Sequence, residues 1–266
     1  MYPAIFKNLK HIVTRICNHF NLIKAKPTGR PLAIKTEDAL TLALYQHRST
    51  RMTKQSIFDD FGEVLQCSYK TLVVSMNRVA LLALKLLFIL MRLGRKHAHL
   101  VKYTDATDIP VCLNKNALRH KTLRGFASWG HSGKGFYFGL KLTLTRDAEG
   151  RMLGLRFSQA GANDRDIFAK INAEIDGIIV ADAGYLSKKL EQSMYKEGKR
   201  WVLFKPTKSM KKLQTAWQYH LYNSRFQIEF DFRNLKLFHG LVTSLPRSVD
   251  GYLANYIHSL LSFVLR

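Results

Sequence analysis

Apolar residues recur at helical intervals over the first hundred positions and at strand-like ones over much of the next hundred. Over residues 2–20, Ile5, Leu9, Ile12 and Ile16 share one helical face with Phe6, Val13 and Cys17 beside them, which predicts an amphipathic helix. Pro27 and Gly29 mark 24–30 as a loop. Thr36 is placed to cap a helix reaching residue 47, with Glu37 and Asp38 in the first turn, where the helix dipole favours anions. Thr53 opens a short helix to Phe61 that Gly62 closes; Ser68 opens a long one that runs to Leu93 and stops at Gly94. Helix, turn and basic helix across 53–80 fit a helix-turn-helix that turns Tyr69, Lys70, Asn77 and Arg78 to a DNA groove; an ordinary helical bundle has the same pattern.

The pattern changes at the basic connector 94–99. Strands are predicted at 100–107, 135–146 and 152–158, the last two joined by a hairpin turn through Asp147 and Gly150. A helix over 163–175 takes Asn163 as its cap, with Asp164 and Asp166 in the first turn. The short apolar run 177–181 suits a strand buried on both faces. A helix at 187–198, a strand at 199–205, one or two helices over 215–236 and another over 248–265 complete the chain. This order predicts an α/β fold, a mixed sheet flanked by helices, after an all-α region: 1–97 helical, 98–266 the α/β domain.

Charge adds a partner. The chain of 266 residues carries 42 Lys+Arg against 19 Asp+Glu, a net charge of +23. Residues 1–100 hold 16 cations and 5 anions, and the remainder 26 and 14, so the excess is not confined to a tail. A polyanion accounts for so broad an excess, and nucleic acid fits better than a membrane surface because no separate basic amphipathic anchor stands out. The most apolar run, 79–91, is interrupted by Lys85 and is too short to span a bilayer. The start of the chain carries Lys7, Lys10 and Arg15 and no signal-peptide core. Cys17, Cys67 and Cys112 are odd in number and lack metal spacing, as in a reducing compartment. A soluble intracellular protein is expected.

Three carboxylates invite chemistry. Asp105 lies in the first predicted strand, Asp182 directly follows the buried one, and Glu229 lies on a late helix. Carboxyl ends of central strands are where α/β sheets place ligand sites, and clustered carboxylates suit hard divalent cations. Each also has an ordinary reading: a strand end, a turn before Gly184, an ion pair between Glu229 and Arg225. On a continuous helix, Tyr222, Arg225, Glu229 and Lys236, at spacings of 3, 4 and 7, share one face, with Ile228, Phe232 and Leu235 as the packing stripe beside it. Arg119, His120, Lys121 and Arg124, followed by Lys134 and Lys141, form a cationic cluster suited to phosphate contacts, with a solvated loop as the alternative. Trp129 reads as a core residue in preference to a base-stacking one, and Cys112 as packing.

The motifs DAT at 105–107, DAGY at 182–185 and Tyr222-x2-Arg225-x3-Glu229-x6-Lys236 resemble the DDE insertion-sequence transposases of bacteria, whose third-acid motif has those spacings. The similarity covers about 100–240. It implies a ribonuclease-H-like domain in which one acid lies on the first strand, the second follows the fourth strand, and the third lies on a late helix. Asp105, Asp182 and Glu229 would then be catalytic and bind two Mg²⁺ or Mn²⁺ ions, with Asp108 as the rival to Asp105. Asp105 is preferred because it matches the family position and because Ile109 and Pro110 should already be leaving the strand. Arg225 and Lys236 would hold phosphates, and Tyr222 would touch backbone or base. Lys70, Arg78, Arg119, Lys121, Arg124 and Lys141 complete the expected DNA-binding set. The implied activity is strand cleavage at terminal inverted repeats and strand transfer into target DNA, by a homodimer on paired ends in the bacterial cytoplasm. A catalytically inactive DNA-binding relative and a non-transposing nuclease are the alternatives.

Overall fold

The structure, a computed structural model, describes residues 4–23, 31–48, 53–198, 200–204 and 215–266, so the loop expected at 24–30 and the ends of the strand expected at 199–205 lie outside the described residues. The chain forms two compact units, one from Met1–Phe88, Leu235–Leu241 and Leu245–Arg266, the other from Ile89–Asn234 and Val242–Ser244. The closing helix therefore groups with the helical unit and not with the α/β unit, a different division from the one expected at 97/98.

The helical unit is built around α2 (Thr36–Gln46), which is buried continuously from Ala39 to Gln46. Such a helix is apolar on all sides and must lie inside others. Helices α1 (Ala4–His19), α3 (Lys54–Leu65), α4 (Tyr69–Arg78) and α10 (Val249–Val264) surround it or its neighbours. Rings of Phe6, Tyr45 and Phe61 meet pairwise at 5.1–6.1 Å. The buried stripe of α1 is Phe6, Leu9, Val13 and Cys17, while Ile5 is exposed, so the helix is rotated from its expected face. Thr36 is the first helical residue and Lys35 the cap. Gly62 does not close α3; Phe58 packs its ring over that glycine, and the helix continues until Gln66 turns left-handed. The expected long helix breaks at Val79, and α5 (Ala80–Lys96) passes through Gly94. Taken together, α4 and α5 (Tyr69–Lys96) are long and apolar enough to cross a membrane by length and composition, which the 79–91 run alone is not. Leu72, Met76, Val79, Ala83, Leu86 and Leu87 of that stretch are buried, while Val74, Leu81 and Phe88 are exposed, so it packs along one side.

The α/β unit holds a six-stranded mixed sheet. Its strands are β1 (Val101–Pro110), β2 (Ser128–Ser132), β3 (Gly135–Asp147), β4 (Met152–Gln159), β5 (Ile178–Ala181) and β6 (Trp201–Phe204). β3 runs antiparallel to β1, β2 and β4, while β5 lies parallel to β1 and to β6. β2 and β4 share the outer edge of β3 end to end, with Ser128 opposite Gly139 and Gln159 opposite Leu140. The β3–β4 turn uses the positive φ of Gly150, as its Asp-Gly signature predicts.

Three expectations fail here. β1 does not end before Ile109: it pairs through Pro110, opposite Gly139, where an added Cβ would meet the Ile109 carbonyl at 2.1 Å. β2 is an extra strand, so 178–181 is fifth in order and not fourth. Trp129, expected in the core, stands on β2 at 46% exposure with its ring edge-on to Phe138.

Helix α6 (Asp164–Ile171) lies on β3 and β4, α7 (Lys188–Gly198) on β6, and α8 (Ala216–Ser224) on β5 and β6. Phe168, Ile179, Ala181, Tyr185, Met194, Val202 and Phe204 form one apolar cluster. The final helix of the unit, α9 (Phe226–Leu237), follows α8 after the single residue Arg225.

Candidate active site

Strand alternation decides which β1 acid reaches α8 and α9. Successive strand residues point to opposite faces, so Tyr103 and Asp105 share a face that Lys102, Thr104, Ala106 and Asp108 do not. On the second face Thr104 Oγ1 and Thr145 Oγ1 donate to Asn172 Oδ1 at 3.2 and 2.8 Å beside α6. On the first, Tyr103 Oη lies 2.7 Å from Ser224 Oγ at the end of α8. Asp105, two residues on, meets the same helical region. Alternation, rather than an early strand end, separates Asp105 from Asp108.

Asp182 arrives from the neighbouring strand. Tyr103 pairs with Val180 across β1 and β5, and both acids lie two residues further. The backbone leaves the sheet at Asp182, whose Oδ1 accepts the Ala183 amide at 2.8 Å and starts a short turn, Ala183–Tyr185. The turn expected before Gly184 and the candidate acid are thus the same feature. Tyr185 goes down into the apolar cluster and anchors that turn.

The late helix is tighter than its motif implies. The Arg225 amide donates to Tyr222 O and the Ile228 amide to Arg225 O, both three residues apart, so the helix contracts at Arg225. Tyr222 therefore lies in the last turn of α8 and Glu229 in the first turn of α9 instead of sharing one unbroken stripe. Ile228, Phe232 and Leu235 are buried, as the apolar side of α9 predicts. Arg146 of β3 holds that helix: Nη1 donates to Asp231 Oδ2 at 2.8 Å and to the Gln227 carbonyl at 3.3 Å.

The site centres on Arg225. Its Nη1 donates to Asp105 Oδ2 at 2.6 Å and its Nη2 to Glu229 Oε1 at 2.8 Å. Its guanidinium carbon stands 5.6 Å from the centre of the Tyr222 ring, and Tyr222 Oη reaches Asp182 Oδ1 at a long 3.5 Å. The acids from strand, turn and helix are thereby joined by the motif's own Arg and Tyr. Arg225 is buried, whereas the Glu229 side chain is 57% exposed. Burial pushes the Asp105 carboxyl up to about 6, and the Asp182 charge adds to the rise, while Arg225 and the Ala106 amide oppose it. Burial works against the Arg225 charge, but Asp105 first, then Tyr222 and Asp182, hold its pKa above the usual arginine value.

Among the described residues, no three His, Cys, Asp or Glu side chains gather into a metal-ligand group. The donor chemistry, three hard carboxylates, suits Mg²⁺ or Mn²⁺, but Asp105 and Glu229 both face a cation already. Arg225, expected to hold phosphate, is here a carboxylate clamp.

The remaining expected contacts are dispersed. Arg119 ends a short turn and, like Lys121 and Arg124, is exposed. Lys141 is half-buried and paired with Asp164 at 2.6 Å. In the helical unit Lys70 and Arg78 are exposed on α4, where Asn77 accepts a hydrogen bond from Lys54. Lys236 is half-buried in the last turn of α9. Sequence reasoning misses Ser224, Arg146 and Asp231, whose partners are remote in the chain and carry no local signal.

A family model described as a transposase DDE domain matches residues 95–248. No curated protein matches the chain. Among solved structures, the chain is similar in fold to piggyBac transposase, imaged by electron cryo-microscopy in a synaptic complex with hairpin DNA: TM-score 0.51, 10% identity, 97% of this chain and 71% of that one covered.

Proposed function

The chain belongs to the family of transposases with a DDE domain, and from that premise we propose that it cuts DNA at the ends of an insertion sequence and joins those ends to target DNA. The observation that carries the reading is the Arg225 clamp. It draws Asp105 and Glu229, 124 positions apart in sequence, onto one guanidinium. With Asp182 tied to Tyr222, residues of all three motifs meet in one unit.

Asp105, Asp182 and Glu229 would hold two Mg²⁺ or Mn²⁺ ions. Such ions, when bound, activate the attacking oxygen and neutralise the leaving one in an in-line displacement at phosphorus. The protein's own contribution is placement. β1 and β5 set two acids level, Asp105 midway along β1 and Asp182 just past the end of β5, and α9, held by Arg146 through Asp231, presents the third. Arg119, Lys121, Arg124 and Lys236 supply positive charge for the DNA backbone, and the net charge of +23 supports a polyanionic partner. Helices α3 and α4, carrying Lys70 and Arg78, are the candidate reader of the terminal inverted repeats. A homodimer on paired ends, acting on nucleoid DNA in the bacterial cytoplasm, completes the proposal.

The test is incubation of the purified chain with duplex carrying its element's end, with Mn²⁺ or Mg²⁺ and a labelled target. Wild type should yield 3′-hydroxyl nicks and joined products, and Asp182→Asn neither. Nicks without joining would make it a nuclease. Salt-sensitive binding with no metal-dependent nicks would make it a DNA-binding relative. Equal behaviour of wild type and Asp182→Asn would overturn the site.

A further inference from the structure

We propose that Arg225 is a placeholder cation: it positions Asp105 and Glu229 against each other in the metal-free protein, and it competes with divalent cations for the same two carboxylates. The inference rests on the proposed metal-binding role of these acids and adds an order of events to it.

Both terminal nitrogens of Arg225 are committed to carboxylates, at 2.6 Å to Asp105 and 2.8 Å to Glu229. Two carboxylates brought to one place repel unless a positive charge lies between them, and the guanidinium supplies that charge. A divalent ion on the same oxygens would face a like charge within about 4 Å, which weakens its binding.

Release from the clamp is also built in. Glu229 is largely exposed, so its half of the clamp can be replaced by water. Arg225 Nε is buried with no hydrogen-bond partner among the described residues, so withdrawal breaks nothing at that atom. The residue sits at the contracted α8–α9 junction, where the regular ladder is interrupted, and the Tyr222 ring 5.6 Å away offers its face to the freed cation. The fork that now holds carboxylates also fits a phosphate bidentately. Arg225 would then be exchanged from acid to phosphate as metal and DNA arrive, which reconciles its buried pairing with its expected DNA contact.

The experiment titrates Mn²⁺ into the full chain without DNA, following free Mn²⁺ by electron paramagnetic resonance. Arg225→Gln should bind Mn²⁺ about tenfold tighter than wild type. Arg225→Lys, which keeps charge but loses the fork, should fall between the two, and Asp105→Asn should lose the tight site. Without metal the thermal midpoint of Arg225→Gln should drop, and saturating Mn²⁺ should raise it more than it raises that of wild type. A merely structural arginine gives the opposite sign, with looser binding in both Arg225 variants. Equal or weaker Mn²⁺ affinity in Arg225→Gln, with binding lost in Asp105→Asn, overturns the placeholder role alone. Should Arg225→Gln fail to fold, the same comparison with Arg225→Lys decides. An Asp105→Asn protein that titrates like wild type overturns the metal site itself.

Discussion

Asp105 and Asp182 each lie two residues beyond a Cα pair, Tyr103 and Val180, that joins β1 to β5. The parallel register, not the sequence distance, makes them neighbours, and their charges are coupled: Asp182 helps to raise the Asp105 carboxyl. Two acids of one unit should fail together. Asp105→Asn and Asp182→Asn should each lower the nicking rate about a thousandfold, and the double variant should be little worse than either. Initial rates on an end-bearing duplex in Mn²⁺ measure this; additive losses would mean the two residues act separately.

Arg146 and Asp231 fix α9 against β3 through a pair with side-chain exposures of 11% and 8%. Breaking a buried pair leaves a charge without its partner, at about 3–5 kcal/mol. Asp231→Ala should lower the unfolding free energy, read from urea titration, by that amount and also slow nicking, because Glu229 shares the helix. Arg146→Met with Asp231→Leu should recover much of the stability, since an apolar pair of similar volume tolerates burial. No recovery in the double variant would show that the pair does more than hold the helix.

Asn172 ties the other face of β1. It accepts from both Thr104 and Thr145 and donates through Nδ2 to the Phe168 carbonyl at 3.0 Å. Asn172→Ala strips a buried network and should cost about 2–4 kcal/mol. Because this face looks away from Asp105, metal-dependent nicking measured well below the melting temperature should be nearly unchanged. Denaturation and initial-rate assays on one preparation separate the two effects.

What is legible in the chain is what is local. Thr53, Ser68 and Asn163 each accept an amide two or three residues ahead, as their side chains and positions predict. The Asp-Gly turn at Gly150 is equally local. Gly62 misleads because a glycine one turn after Phe58 on the same helix is covered by that ring, a side-chain contact that single-residue propensity does not carry. β2 escapes because Ser128–Ser132 has no apolar alternation and is a strand only by pairing with Gly135–Gly139. Motif spacing singles out Asp105, Asp182, Arg225 and Glu229 together, but not the pairing of Arg225 with Asp105 and Glu229, because spacing on a helix says which side chains are near, not which of them is buried. Tyr103 with Ser224 and Arg146 with Asp231 are invisible for a plainer reason: their partners lie 121 and 85 residues away.

The helical unit should be acid-sensitive through three imidazoles. His47 donates Nδ1–H to the His239 carbonyl at 2.7 Å, and its ring lies 6.3 Å from that of His258. Burial, with the neighbouring Lys54 charge, pushes His47 down to about 4. Burial, with Arg48 and Arg266, pushes His239 to about 4, and burial lowers His258 as well. In the unfolded chain each titrates near ~6.5, so between those values the unfolded state binds more protons. Stability is then fully present above the unfolded pKa and is lost as pH falls towards the folded one, by about 2 kcal/mol for each of His47 and His239 at pH ~5. Urea midpoints followed by circular dichroism at falling pH should decline over this window. His47→Gln, which keeps an amide donor for the His239 carbonyl but cannot protonate, should flatten the decline. A wild-type midpoint that stays constant through the window would show that these rings are not held neutral by burial.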